Sequence, residues 1–435
     1  MKKTFAIIIS AVIIITSITG CNSNNDAKTL VLWHSMADEA GLQLEAFVDE
    51  FNSGRGKELG ITVEAIFQGA AADASTKLRT ILQNGQYAEL PDIMQIDATG
   101  IVDYQSSGLA FSVDDALALD TGYEISQLLE APLKAWSFDG VQLGMPFNSS
   151  TTVMYYNKSI LDAAGFSDPP DTFAGITAVS ERLGQGIAAY AHIPDTPSLA
   201  NWIGQLGGDV VNNGNGRDSM ATRLVCDEEG TLELFLHEWK RMHDAGAVLN
   251  QSSSLTEMFL AEQIVFLTAS TSRMMSLLAQ IDGRFELGCA YFPRIHEGAS
   301  FGATISGSAM FMFDKGSSDM KLAAWELLKY LASPEVQARF SVATGYFPVN
   351  KAAYDVEVYR EYAQRYPQLG VATAQVEMTR PDMAGVMVGP SRDFYLEIQN
   401  RVSDMLLTGA DPAAAAQTMA GALNSLLEQY AIANP

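Results

Sequence analysis

Five histidines, His34, His192, His237, His243 and His296, are the first places to look for metal binding or acid–base catalysis. His237 and His243 stand six residues apart in one helical stretch, so they lie on different faces and share no metal there. His237-Glu238 lacks the second histidine of a zinc-protease motif. There is no phosphate-cradling glycine loop with its lysine, no Gly-x-Ser-x-Gly elbow and no Cys-x-x-Cys. The many Asp and Glu residues leave a carboxylate pair for glycoside hydrolysis open, although so many acids also produce chance pairs. The expectation is a non-enzyme with no catalytic residue, no metal and no cofactor. The groups that do cluster are neutral. Asn148-Ser149-Ser150-Thr151-Thr152 follows Gly144-Met145-Pro146-Phe147 and offers a row of amides and hydroxyls without an acid or base. Such groups suit a protein that binds a polar solute and releases it unchanged.

The elements around this row alternate between strand and helix. Thr29 to Trp33 is a short apolar strand, and Leu44, Phe47, Val48 and Phe51 fall on one face of a helix that stops at Asn52-Ser53-Gly54. Ile61, Val63, Ala65 and Phe67 alternate as a second strand, Leu78, Ile81 and Leu82 mark a helix, and Asp92 to Ile96 is a third strand. This βαβαβ opening predicts an α/β domain with a largely parallel sheet. Thr151 to Tyr156, β-branched and aromatic, is a strand. Helices follow near 160–165, 171–183, 228–245 and 319–332, then from Ser333-Pro334 and again from Pro390 onward, with a helix and a strand within 258–267. Gly207 to Asp218 has the acids and amides of a calcium loop but no glutamate at the required distance, and is expected to be a surface turn.

The N-terminus carries an address. Lys2 and Lys3 precede an apolar run, Phe5 to Ile15, too short to span a bilayer and shaped as a signal region. Ser17-Ile18-Thr19-Gly20-Cys21 resembles a bacterial lipobox, which implies cleavage before Cys21 and a lipid on its thiol. Residues 22–27 read as a polar tether. The expected product is an exported body held to the cell membrane by a lipid anchor alone, on the periplasmic or extracytoplasmic face. A net charge of −24 without a basic tract argues against nucleic acid as a partner. Cys226 and Cys289 form either a disulfide or two buried free thiols; their sequence positions do not choose.

Several stretches together carry a family likeness: Trp33-His34-Ser35-Met36, Pro146-Phe147-Asn148-Ser149-Ser150-Thr151, Tyr155-Tyr156-Asn157-Lys158, Thr268-Ala269-Ser270, Ile305-Ser306-Gly307-Ser308 and Thr344-Gly345-Tyr346-Phe347-Pro348. In this order the chain resembles the extracellular solute-binding proteins of ABC importers, the group that includes carbohydrate binders, and most of all the sn-glycerol-3-phosphate-binding branch. The resemblance implies a two-lobed periplasmic-binding-protein-like fold (type II) that closes on a solute like a hinged clamp. It implies lobe one at 28–145 and 303–343, lobe two at 147–300 and 346–435, and crossings near 146, 301 and 345. Its partners would be a small solute, an ABC permease and that permease's ATPase, and the chain would be a monomer.

Family ligand contacts carry over to Ser150, Ser270, Gly307 and Tyr346. Other positions depart from the branch. Ala70-Ala71-Ala72 stands where a tyrosine is expected, Ala98 beside Asp97 where a glutamate is expected, and a single Trp202 where two tryptophans are expected. The family's phosphate arginine aligns near Tyr395, with Arg392 three residues away. A neutral sugar would instead draw on Asp97, Asn148, Ser149, Ser150, Trp33, Trp202 and Tyr346. Trp33 and Trp202 are equally compatible with core packing, and Asp97 with a helix start. The expected ligand is a glycerol-3-phosphate-like compound, a glycerophosphodiester or a sugar, with Arg392 as the cation if the solute is a phosphate. A secreted glycosidase and a non-transport surface lipoprotein are the remaining readings; for the first, replacing Asp97 would abolish turnover.

Overall fold

The computed structural model describes residues 28–380 and 383–433. The signal-peptide, tether and Cys21 expectations lie outside these residues.

The βαβαβ opening is present. Strand Lys28–His34 pairs in parallel with Ile61–Phe67 on one side and Ile93–Asp97 on the other. Helix Asp38–Ser53 buries Leu44, Phe47, Val48 and Phe51, the four residues at helical spacing. Helix Ala71–Asn84 buries Leu78 and Ile81 and ends at Gly85, where a left-handed backbone closes the last turn. A later strand, Ile305–Phe313, completes this sheet, antiparallel to Ile93–Asp97. Its side chains alternate between two layers. Met310 and Met312 pack with Phe47, Phe51, Trp325 and Leu328, while Ala309, Phe311 and Phe313 pack with Leu78, Ile81, Tyr104 and Trp136. The sheet is thus covered by helices on both faces, which is what its near-continuous apolar strands require.

The strand Met145–Asn157 is longer than the expected Thr151–Tyr156, and it joins the two lobes. Its first half pairs with Ile305–Met310; from Thr152 onward it pairs antiparallel with Ile264–Ser270, and from Met154 with Leu287–Ala290. Pro146, which has no N–H to give, falls where the ladder skips Phe147 opposite Ser308 and Ala309. Ala188–Ala191 and Val248–Leu249 extend the second-lobe sheet in parallel. Val153 and Tyr155 face a core with Phe259 and Leu277. Met154 faces a larger one with Trp202, Phe235, Trp239 and the C-terminal helical residues Phe394, Ile398 and Leu423. Ala303 packs in this second-lobe core, whereas Val349 packs in the first-lobe core.

Cys226 is buried, Cys289 is half-buried, and both are free thiols, which resolves that pair. Among the described residues no helix is long and apolar enough to cross a membrane. The Gly207–Asp218 stretch corrects its expectation as a surface turn. Asn213, Gly214 and Asn215 adopt left-handed backbone in succession, a conformation that Asn and Gly tolerate. The buried Asn215 Oδ1 accepts from the N–H groups of Val210 and Val211, and the Arg217 carbonyl accepts the Asp139 N–H at 2.7 Å. The loop is a fixed contact from the second lobe onto the first.

Candidate functional site

Three chain segments meet between the lobes. Ser149 pairs with Gly307 and Ser150 with Ser306 across the ladder, and the Ser149 carbonyl accepts the Phe347 N–H at 3.1 Å. Gly307 has a φ of +100°, and a Cβ there would lie 1.9 Å from the Asn148 carbonyl oxygen, so only glycine fits. Thr151 donates toward the Ala303 and Thr304 carbonyls and accepts from Gln375 Nε2 at 3.1 Å. Gln375, fully buried, also donates to the Thr152 carbonyl at 2.7 Å and accepts the Phe292 N–H at 2.7 Å.

Two cavities flank this hinge. The first, about 240 Å³, has Ser35, Gln95, Asp97, Asn148 and Tyr346 on its wall. Its amides are held in advance: Gln95 Oε1 accepts the Ser35 N–H at 2.8 Å while its Nε2 donates to Asn148 Oδ1 at 3.2 Å. Tyr346 is half-buried, with its ring stacked on Phe340 at 5.5 Å. The second cavity, about 230 Å³, takes Asp97, Trp136 and Thr99 from the first lobe, Thr196 and Arg217 from the second, and Ser306 and Gly307 from the hinge. Asp97 and Gly307 border both. Asp97 Oδ1 accepts from the Thr99 N–H at 2.9 Å and the Thr99 hydroxyl at 2.6 Å, a local turn ahead of helix Ile101–Ser106. Its Oδ2 carries no hydrogen bond among the described residues and is the carboxylate oxygen left for a hydroxyl.

The expected site residues divide accordingly. Asp97, Asn148, Gly307 and Tyr346 are brought together at the cavities. Ser149 and Ser150 are buried in the hinge ladder and on neither wall, because strand pairing consumes their positions. Ser270 is a cap: its Oγ accepts from the Ser272 N–H at 3.3 Å and lies 2.9 Å from the Ser272 hydroxyl. Three expectations are corrected. Trp33 is a core residue with Lys77 Nζ 3.8 Å from its ring centre. Trp202 is fully buried in the second-lobe core, stacked on Phe235 at 5.2 Å, with its Nε1–H given to the Pro293 carbonyl. Arg392 is exposed on the first turn of helix Ser391–Thr408, on the wall of neither cavity.

Gln95, Trp136, Thr196 and Arg217 were not expected. Thr196 had a signal in Asp195-Thr196-Pro197-Ser198, a capping box with proline that starts helix Thr196–Gln205. Arg217 had a weaker one, as the cation of a loop whose Asn and Gly residues fix left-handed backbone. Nothing local marks Trp136, which reaches the cavity through chain topology.

Comparison with known proteins gives a family and a fold. The model of the bacterial extracellular solute-binding protein family matches residues 46–368. The sn-glycerol-3-phosphate-binding periplasmic protein UgpB of Yersinia pestis is 22% identical over 418 residues, covering 92% of this chain and 93% of its own. The structure of UgpB from Mycobacterium tuberculosis in complex with glycerophosphocholine superposes with a TM-score of 0.74 at 20% identity, over 93% of this chain and 99% of that one. The cyclic alpha-maltosyl-1,6-maltose binding protein of Arthrobacter globiformis gives a TM-score of 0.77 at 20% identity, over 92% and 99%.

Proposed function

The chain belongs to the bacterial extracellular solute-binding protein family, and from that premise we propose that it is the solute-capturing component of an ABC importer. It binds a small hydroxylated solute between its lobes and closes around it, and the closed form is populated to the extent that the solute prefers it. It then delivers the solute to a permease driven by a partner ATPase. It acts by binding, without turnover, as a monomer anchored through a lipid on Cys21. Lobe one is taken as residues 28–145 and 303–343 and lobe two as residues 147–300 and 346–435, except that Ala303 packs with the second lobe and Val349 with the first.

The observation that carries this reading is the pair of adjoining cavities walled by hydrogen-bonding groups from both lobes and from the hinge between them. Pre-held amides at Gln95 and Asn148 and the open side of the Asp97 carboxylate suit the hydroxyls of a polyol, a glycerophosphodiester or a sugar. Tyr346 supplies an aromatic wall. The test is a thermal-shift screen of the mature chain against glycerol-3-phosphate, glycerophosphocholine, glycerol, maltose and longer oligosaccharides. A site filled at about a hundred times Kd stabilises by about 2.7 kcal/mol, which is readily measured. A flat response across the panel contradicts the proposed ligand class.

A further inference from the structure

The second cavity has a chemistry of its own. Three residues on its wall hold buried polar atoms with no protein partner: Trp136 Nε1, Thr196 Oγ1 and Arg217 Nε. One comes from the first lobe and two from the second, so lobe contact is what brings them together. Arg217 gives its Nη1 to the Gly385 carbonyl and its Nη2 to the Ala135 carbonyl, and it forms no ion pair among the described residues. Two neutral carbonyls accept from the guanidinium, and the Asp209 carboxylate, whose Oδ1 accepts from Asn215 Nδ2, acts on its charge. Burial lowers the Arg217 pKa to about 10, so the charge is held at a cost that an anion would relieve. Thr196 opens the ten-residue helix Thr196–Gln205, whose N-terminal end favours negative charge. The neighbouring Asp195 carboxylate is already taken by the Ser198 N–H and hydroxyl.

Indole and guanidinium N–H groups only donate. A sugar hydroxyl oxygen accepts from such groups as a neutral partner, whereas an anionic, acceptor-only group with several lone pairs takes several of them at once through stronger, charge-assisted bonds. Resting on the solute-binding reading above, we propose that Arg217, Trp136 and Thr196 form a subsite for the oxyanion of a hydroxylated solute, a phosphate ester or a carboxylate. Asp97, across the same cavity, receives the solute's hydroxyl end. The subsite replaces the role expected of Arg392.

The test is isothermal titration calorimetry on the mature chain with two matched pairs: glycerol-3-phosphate against glycerol, and glucuronate against glucose. At least one anion binds more tightly than its neutral counterpart, and which one does distinguishes phosphate from carboxylate. Arg217→Gln weakens that anion roughly tenfold to a hundredfold, the range of a charge-assisted hydrogen bond, and weakens its neutral counterpart by clearly less. Trp136→Phe removes the N–H together with the five-membered ring and weakens the anion roughly threefold to tenfold, more than its neutral counterpart; it carries the test should Arg217→Gln fail to fold. Neutral solutes binding as tightly as the anions overturn the inference, as does an equal loss for both classes in Arg217→Gln or unchanged anion affinity in Trp136→Phe. Binding confined to neutral sugars such as maltose sinks the subsite and leaves the solute-binding reading standing. No binding by any solute sinks both.

Discussion

The hinge and the second cavity are neighbours, yet their polar groups are treated in opposite ways. At the hinge, Thr151 and Gln375 spend their hydrogen-bonding capacity on carbonyls and N–H groups of three chain segments. At the cavity, Trp136, Thr196 and Arg217 keep buried polar atoms without protein partners. Satisfied groups hold a structure together; unsatisfied ones lose solvation and regain it only from something that arrives. The hinge hydroxyls that dominate the sequence are therefore mostly mechanical, and recognition falls to residues that are inconspicuous in it. Ser149, whose buried hydroxyl has no partner, is the hinge's exception.

This contrast gives opposite signs for the same kind of substitution. The largest effect belongs to Gly307→Ala, which forces a Cβ onto the Asn148 carbonyl and holds alanine at positive φ; it should cost about 3 kcal/mol in urea unfolding. Gln375→Leu strands the Phe292 N–H and the Thr152 carbonyl and should cost about 2 kcal/mol by the same measurement. At the cavity, Thr196→Val deletes a polar atom that has no partner to lose. It should leave stability within about 0.5 kcal/mol of the parent or raise it, while weakening solute binding. A cavity variant that destabilises as much as Gln375→Leu would erase the distinction.

The smallest expected effect is a pH dependence. His34 is buried with neither ring nitrogen partnered, and burial lowers its pKa below the ordinary 6.5; burial lowers His192 as well. The unfolded chain therefore binds more protons than the folded one just below pH 6.5. Stability is full above that pH and falls as pH drops toward 5. Denaturant melts at pH 7 and pH 5 should show this loss, and His34→Phe should shrink it.

How far the sequence reveals this depends on range. Apolar periodicity located the helix Asp38–Ser53 and the first three strands, because each buries a stripe set by local geometry. Of the residues in the ordered family stretches, Asn148, Gly307 and Tyr346 lie on the cavity walls, and Asp97, read at a position that departs from the family, lies there too. Aromatic type alone misled: Trp202 is core and Trp33 nearly so, while Trp136 reaches the cavity from the opposite lobe. Which tryptophan meets a solute depends on lobe packing that brings together residues distant in sequence, such as Trp136 and Thr196, and no local pattern encodes it. The Gly207–Asp218 loop was misjudged for a related reason. Its Gly and Asn content signals left-handed backbone, but not whether water or another lobe lies against it.

The most direct test of a solute held between the lobes follows the five tryptophan indole N–H signals by NMR, with Trp136→Phe and Trp202→Phe as assignments. The titrant is whichever solute stabilises the chain in the thermal screen. The Trp136 signal should shift on saturation as its Nε1–H gains an acceptor, while the Trp202 signal, already bonded to Pro293, should hold still. A saturating solute that leaves the Trp136 signal unmoved would contradict the account.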